Sequence, residues 1–179
     1  HRLEPILLAH LEKQEECGIW RGHEWEAAEQ DSETVTSRVR NLETGRVHEI
    51  RSRYLLAADG AGSRVRKATG IEMAGPARLR SFVMIHFEAN LRSLVAERPA
   101  VLYWITDPGS LGTFIAHDID STWVYMHGWD PDQESAERYD ESTCAEIVRR
   151  ALGTQRFDFS IRTIRTWHMS VQVASRYRE

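Results

Sequence analysis

Apolar residues recur along this chain in two rhythms. Near the start, Leu3, Leu7 and Leu11 repeat every four positions with Ile6 beside them, which predicts a helix over residues 3–17 stopped by Gly18. Pro5 is tolerated only in a first turn, so that helix should begin within a residue or two of Leu3. A period of two then takes over. Segments 19–29, 34–40 and 46–52 place Trp20 and Trp25, Val35 and Val39, and Val47 and Ile50 among polar neighbours. Gln30-Asp31-Ser32 and Leu42-Glu43-Thr44-Gly45 join them with hairpin chemistry, so a β-meander is expected. The run Tyr54–Ala58 breaks the rhythm. It is apolar or small throughout, which predicts a strand buried on both faces of a layered α/β sheet.

Beyond Arg66, residues 67–71 suggest a short helical turn closed by Gly70, and Gly75-Pro76 marks a crossing between segments 1–75 and 76–179. Strands are expected over 78–89, 100–106, 112–117 and 122–129, separated by Asp107-Pro108-Gly109 and Asp118-Ile119-Asp120-Ser121. Hairpin-linked strands of this kind make an antiparallel sheet. Residues 140–152 carry the firmest helical pattern: Cys144, Ile147, Val148, Ala151 and Leu152 form one stripe, with Asp140 or Ser142 as N-cap and Gly153 as stop. A long strand over 157–169 follows, with Phe157, Phe159, Ile161 and Thr163 expected on one side. The fold class is therefore mixed: an α/β layer with a meander, then an α+β part with an antiparallel sheet and one long helix.

Composition narrows the function. A chain of 179 residues can bury a sizeable core, and a net charge of −4 with dispersed arginines leaves no footprint for nucleic acid. No apolar run approaches the length of a membrane span, and no signal segment opens the chain. Cys17 and Cys144 stand alone, as reduced cytoplasmic thiols do. His23 and His48 lack acidic or Cys partners at ligand spacing. His117, Asp118 and Asp120 are accounted for by a turn, so no metal is expected. Neither a Gly-x-Ser-x-Gly elbow nor a G-x-G-x-x-G phosphate loop occurs.

The chemistry concentrates after Ala58. Asp59 ends the apolar run, Gly60 and Gly62 allow a sharp turn, and Ser63, Arg64 and Arg66 follow. In open α/β sheets the carboxyl end of a strand is where ligands bind, although Asp59 could equally cap the next helical turn. The series Ala58-Asp59-Gly60-x-x-Ser63-x-Val65-Arg66 resembles the Asp-Gly motif of the single-component FAD monooxygenases similar to p-hydroxybenzoate and phenol hydroxylases.

That resemblance implies a fragment of an enzyme that binds FAD, takes a hydride from NAD(P)H and uses oxygen to hydroxylate a small aromatic substrate in the cytoplasm. It leaves a homodimer open. Segment 1–75 would be part of the FAD-binding domain and 76–179 the substrate-binding domain. Asp59 would reach the ribose and pyrophosphate region and Gly60 would allow close approach. Ser63 and Arg66 would fix the turn or serve the nicotinamide nucleotide, with a turn-holding salt bridge as the alternative for Arg66. Trp104, His117 and Tyr125 fall on strands that would line the substrate; a one-residue slip would reverse them all. No catalytic residue is named. Both ends resemble cuts, with the glycine-rich nucleotide loop expected upstream and a second, Gly-Asp motif downstream. Two other readings remain: a flavin halogenase or reductase of the same superfamily, or a binding domain without catalysis.

Overall fold

The computed structural model describes residues 3–178. The chain forms two compact units, one made by the residues up to Glu72 with those from Arg176 on, the other spanning Met73–Ser175. Every strand pairing among the described residues is antiparallel. No described helix is long and apolar enough to cross a membrane.

The first unit opens with α1 (Leu3–Leu11), followed by the meander β1 (His23–Gln30), β2 (Val35–Asn41) and β3 (Val47–Ser52). Both hairpin joins are held by a side chain at their start. The Asp31 carboxylate accepts the Glu33 and Thr34 amides at 2.8 and 2.7 Å, and the Asn41 side-chain oxygen accepts those of Glu43 and Thr44 at 3.0 and 2.9 Å. These are the local bonds by which Asp and Asn favour turns.

Two expectations fail in this unit. The opening helix ends at Leu11 instead of 17, and the chain continues in tighter turns, Lys13 N–H to the His10 carbonyl and Gln14 N–H to that of Leu11. Its leucine face is exposed, so it gains little packing among the described residues, and short helices rarely persist on propensity alone. The run Tyr54–Ala58 is not a strand: Tyr54 is 77% and Leu56 91% exposed. A central strand exists only through partners on both sides, and no described residue pairs with this run.

The second unit is built on a five-stranded sheet. Its strands are β5 (Arg80–Glu88), β6 (Leu102–Ile105), β7 (Gly112–Asp118), β8 (Thr122–Trp129) and β9 (Ser160–Met169), in the order β6-β7-β8-β5-β9. The unit also holds the two-stranded pair of β4 (Met73–Ala74) with β10 (Val173–Ala174) and the short helix α3 (Arg92–Val95). The helix α4 (Glu141–Leu152) packs on one face of the five-stranded sheet. Its Asp140 cap accepts the Thr143 amide at 2.7 Å, and Gly153 closes it in the left-handed conformation at φ 67°, both as the sequence predicts. Val83, Ile85 and Phe87 of β5 meet Cys144, Val148 and Leu152 of α4 in the core, together with Phe114, Trp123 and Tyr125. Burial pushes the Cys144 thiol up to about 11, which makes it an inert core group.

One phase is corrected here. Thr163 does not share a side with Ile161, because the ladder pairs Phe87 with Ile161 but His86 with Thr163, leaving Arg162 as an extra residue. Ile161 and Ile164 both pack against the core in consequence.

Phe87 is buried between the rings of Phe114 and Phe159, with centroids 6.1 and 5.6 Å away. Phe87→Ala is expected to lower stability by about 3–5 kcal/mol, measurable by urea unfolding; a loss below about 1 kcal/mol would remove Phe87 from the core. A methyl group on Gly112 would lie 2.4 Å from the Met126 carbonyl oxygen and 2.6 Å from the Tyr125 hydroxyl. Gly112→Ala should therefore destabilise by about 1–3 kcal/mol, and an unchanged denaturation midpoint would show that the β7–β8 pairing yields easily.

Candidate functional site

The turn after Ala58 is organised by its own polar side chains. The Asp59 carboxylate, through Oδ2, accepts the backbone N–H groups of Arg64 at 2.8 Å and Val65 at 3.3 Å. Ser63 Oγ accepts the Arg66 amide at 3.0 Å and caps the short helix α2 (Arg64–Ala68), while the Ser63 N–H donates to the Gly60 carbonyl at 3.0 Å. Gly60 lies at φ 81° with nothing within 4 Å of where a Cβ would stand. Backbone conformation, not crowding, calls for glycine there. The Ser63 hydroxyl and then the Val65 and Arg64 amides hold the Asp59 carboxyl below its usual range.

Asp59, Gly60 and Ser63 are thus brought together. Arg66 turns the other way, donating from Nη1 to the Ile71 carbonyl at 2.9 Å; a carbonyl, not a carboxylate, holds it. The neighbouring Arg64 guanidinium pairs with Glu24 and ties the turn to β1.

These residues fit a ligand that offers hydroxyl groups. Asp59 is an ionised, solvent-facing acceptor, suited to sugar hydroxyls or to ordered water, and the open space over Gly60 admits a ligand close to the backbone.

The second unit offers another surface. Cross-strand register places Trp104, Thr113, Met126, Met84 and Arg165 opposite one another in one row across the sheet. The adjacent row, offset by one residue, contains Tyr103, Phe114, Tyr125, Ile85 and Ile164, all buried in or packed on the core under α4. The two rows show opposite faces. The face away from α4 carries Met84, Met126, Ile115 and Val124, and Phe82 stacks on Trp167 at 5.6 Å.

Of the three expected substrate-lining residues, Trp104 stands on this face, 75% exposed. His117 is exposed at the irregularity where Ala116 pairs with Trp123 and Asp118 with Thr122, and its charge bears on His86 of the same face. Tyr125 is a correction. It is 0% exposed, its hydroxyl donates to the Ser110 carbonyl, and burial pushes its pKa up. It is a core residue that anchors the β6–β7 connection.

Sequence reasoning missed His86 and Arg165. The alternation of Phe82, Met84 and His86 against Val83, Ile85 and Phe87 carried the signal, but without register neither set could be assigned a face. Burial, and then the positive charges of His117 and Arg165, hold the His86 imidazole below its ordinary titration.

A cleft of about 680 Å³ opens on the α4 side, lined in part by His127, Trp129, Glu134, Arg138 and Tyr139. Its polar groups largely satisfy one another: Glu134 accepts from both Arg138 and Tyr139 at 2.5 Å.

The chain belongs to the FAD binding domain family, which it matches over residues 1–179. It is 33% identical to 2,4-dichlorophenol 6-monooxygenase of Cupriavidus pinatubonensis over 99% of its length and 30% of that protein's. It is 32% identical to the aklavinone 12-hydroxylase of Streptomyces peucetius subsp. caesius, with 99% and 36% covered. Among solved structures, the flavin-dependent monooxygenase PieE in complex with FAD and substrate superposes with a TM-score of 0.87 at 32% identity, covering 99% of this chain and 31% of that one. A ternary complex of aklavinone-11 hydroxylase with FAD and aklavinone gives 0.85 at 28%, covering 99% and 34%. The chain spans about a third of the length of the relatives it matches.

The turn itself can be tested by amide exchange. Because the Asp59 pKa is depressed on folding, its contribution is present above the unfolded carboxylate's titration and is lost as pH falls through the folded value. Amide exchange at Arg64 and Val65 should therefore accelerate in Asp59→Ala at neutral pH. If exchange there is unaltered, the carboxylate does not hold the turn.

Proposed function

We propose that this chain is the central part of an FAD-dependent monooxygenase that hydroxylates a phenolic aromatic substrate with NAD(P)H and O2. The observation that carries the reading is a match along the whole chain to enzymes named as hydroxylases and monooxygenases, two of them solved with FAD and a ligand. Residues 1–75 act as part of the FAD-binding domain and 76–179 as the substrate-binding domain.

In this reading Asp59 accepts hydrogen bonds from ribose hydroxyls and reaches the pyrophosphate region through water. Gly60 admits the ligand to the backbone, and Ser63 keeps the turn in shape by capping α2. Arg66 has its guanidinium engaged at the Ile71 carbonyl, so its part is to hold the turn closed. When bound, the flavin supplies the redox and oxygen chemistry, and the protein supplies binding, orientation and shelter from water. The sheet face bearing Trp104, Met84 and Met126 gives a flat apolar ring a broad surface. His117 lies at its border, where an imidazole can bond to a ring hydroxyl. The same reading takes in a small-molecule partner and a cytoplasmic setting, and leaves a homodimer open.

The test uses the full-length protein. It should purify yellow with bound FAD and consume NAD(P)H and O2 when given a phenol, releasing a hydroxylated product. Asp59→Ala should weaken FAD binding about tenfold or more, as expected for loss of a charge-assisted hydrogen bond. A colourless full-length protein that takes up no FAD in a titration would rule the proposal out.

A further inference from the structure

The cleft on the α4 side of the second unit has a volume of about 680 Å³, the size of a small-molecule site. Its floor is aromatic. Trp129 and Tyr139 meet edge to face with ring centroids 6.2 Å apart, and the His127 ring lies 6.0 Å from that of Tyr139. Burial holds the His127 imidazole below its ordinary titration, so the floor carries no positive charge of its own. The helix α4 supplies one wall through Thr143, Glu146 and Arg150.

The polar groups of the lining are unevenly matched. Each side chain that can donate a hydrogen bond already has an acceptor. Arg138 and Tyr139 both donate to the Glu134 carboxylate at 2.5 Å, and Trp129 Nε1 donates to the Glu134 carbonyl at 3.1 Å. Arg150 lies against Asp107 at 3.3 Å, the Thr143 hydroxyl donates to Asp140, and the His127 ring donates to the Leu111 backbone. Acceptors are left over. The Glu146 side chain has no hydrogen bond or ion pair among the described residues. Asp130 accepts the Asp132 amide at 3.0 Å and meets no cation among them. Both arginines of the lining are thus neutralised, and the charge that remains is negative.

An aromatic floor beneath a spare carboxylate is the complement of an organic ammonium group. The ring faces attract the cation, Glu146 accepts its N–H groups, and the carbon skeleton of the ligand covers the rings. An anion would meet Glu146 with no free cation to offset it, and a neutral ligand would leave that carboxylate uncompensated. We infer that this cleft binds small organic amines as their ammonium ions, with Glu146 as counter-charge and Trp129 and Tyr139 as the aromatic floor. It lies across the sheet from Trp104, Met84 and Met126, apart from the surface used in the proposed function. Binding there requires no turnover.

The experiment titrates the full-length, FAD-loaded protein in a calorimeter at neutral pH with benzylamine and with benzyl alcohol. The two share a ring and a shape, and only the amine carries a charge. The unaltered protein should bind benzylamine about tenfold tighter than the alcohol. Glu146→Gln should abolish that preference by weakening the amine alone, and Glu146→Asp should keep part of it. Glu146 is exposed and its side chain is unbonded, so an unchanged denaturation midpoint should accompany both variants. Equal binding of the two compounds by the unaltered protein overturns the inference. So does binding of neither, or an amine preference that survives Glu146→Gln.

Discussion

Strand β5 is enclosed by β8 on one side and β9 on the other, and the second unit depends on that double pairing. Because side chains alternate along a strand, seating β5 in the middle of the sheet settles two surfaces at once. Val83, Ile85 and Phe87 go to the core with α4, so Phe82, Met84 and His86 must face the other way. A single register thus supplies both the stability of the unit and the make-up of its opposite face. The two cannot be varied independently, since a one-residue slip would turn His86 into the core and Phe87 out of it.

The first unit solves a different problem. Its turn after Ala58 has no deep core to rely on among the described residues, and it is held by hydrogen bonds instead: Asp59 to two amides, Ser63 to a third, Arg66 to a carbonyl. A carboxylate that caps a helical turn and faces solvent can serve structure and ligand together. Capping and cofactor binding are therefore not rival accounts of Asp59. The exposed Leu56 and Tyr54 before it, and the exposed leucine face of α1, are apolar surfaces left without packing among the described residues.

Aromatic side chains in the second unit divide the same way. Trp123, Tyr125 and Phe114 build the core through ring contacts such as the 4.4 Å centroid separation of Phe114 and Tyr125. Trp104, Phe82 and Trp167 belong to the other face. A high aromatic content is therefore no guide to a pocket by itself; strand position sorts the rings.

Much of this was legible in the amino-acid order. Local rules suffice for the meander joins at Asp31 and Asn41, the Asp140 cap and Gly153 stop of α4, the span of β8 and the Asp59–Ser63 turn, because each rests on bonds between residues a few positions apart. The likeness of Ala58–Arg66 to a flavin motif pointed to the family for the same reason. What only the tertiary structure decided depends on distant partners. Arg162 bulges because β9 must match β5, which moves Ile164, not Thr163, into the core. Tyr125 and Trp104 part company because register, absent from the sequence, assigns them opposite faces. And Tyr54–Ala58, apolar enough to be a central strand, stays unpaired among the described residues. Composition can make a segment fit for burial, but only neighbouring strands can make it a strand.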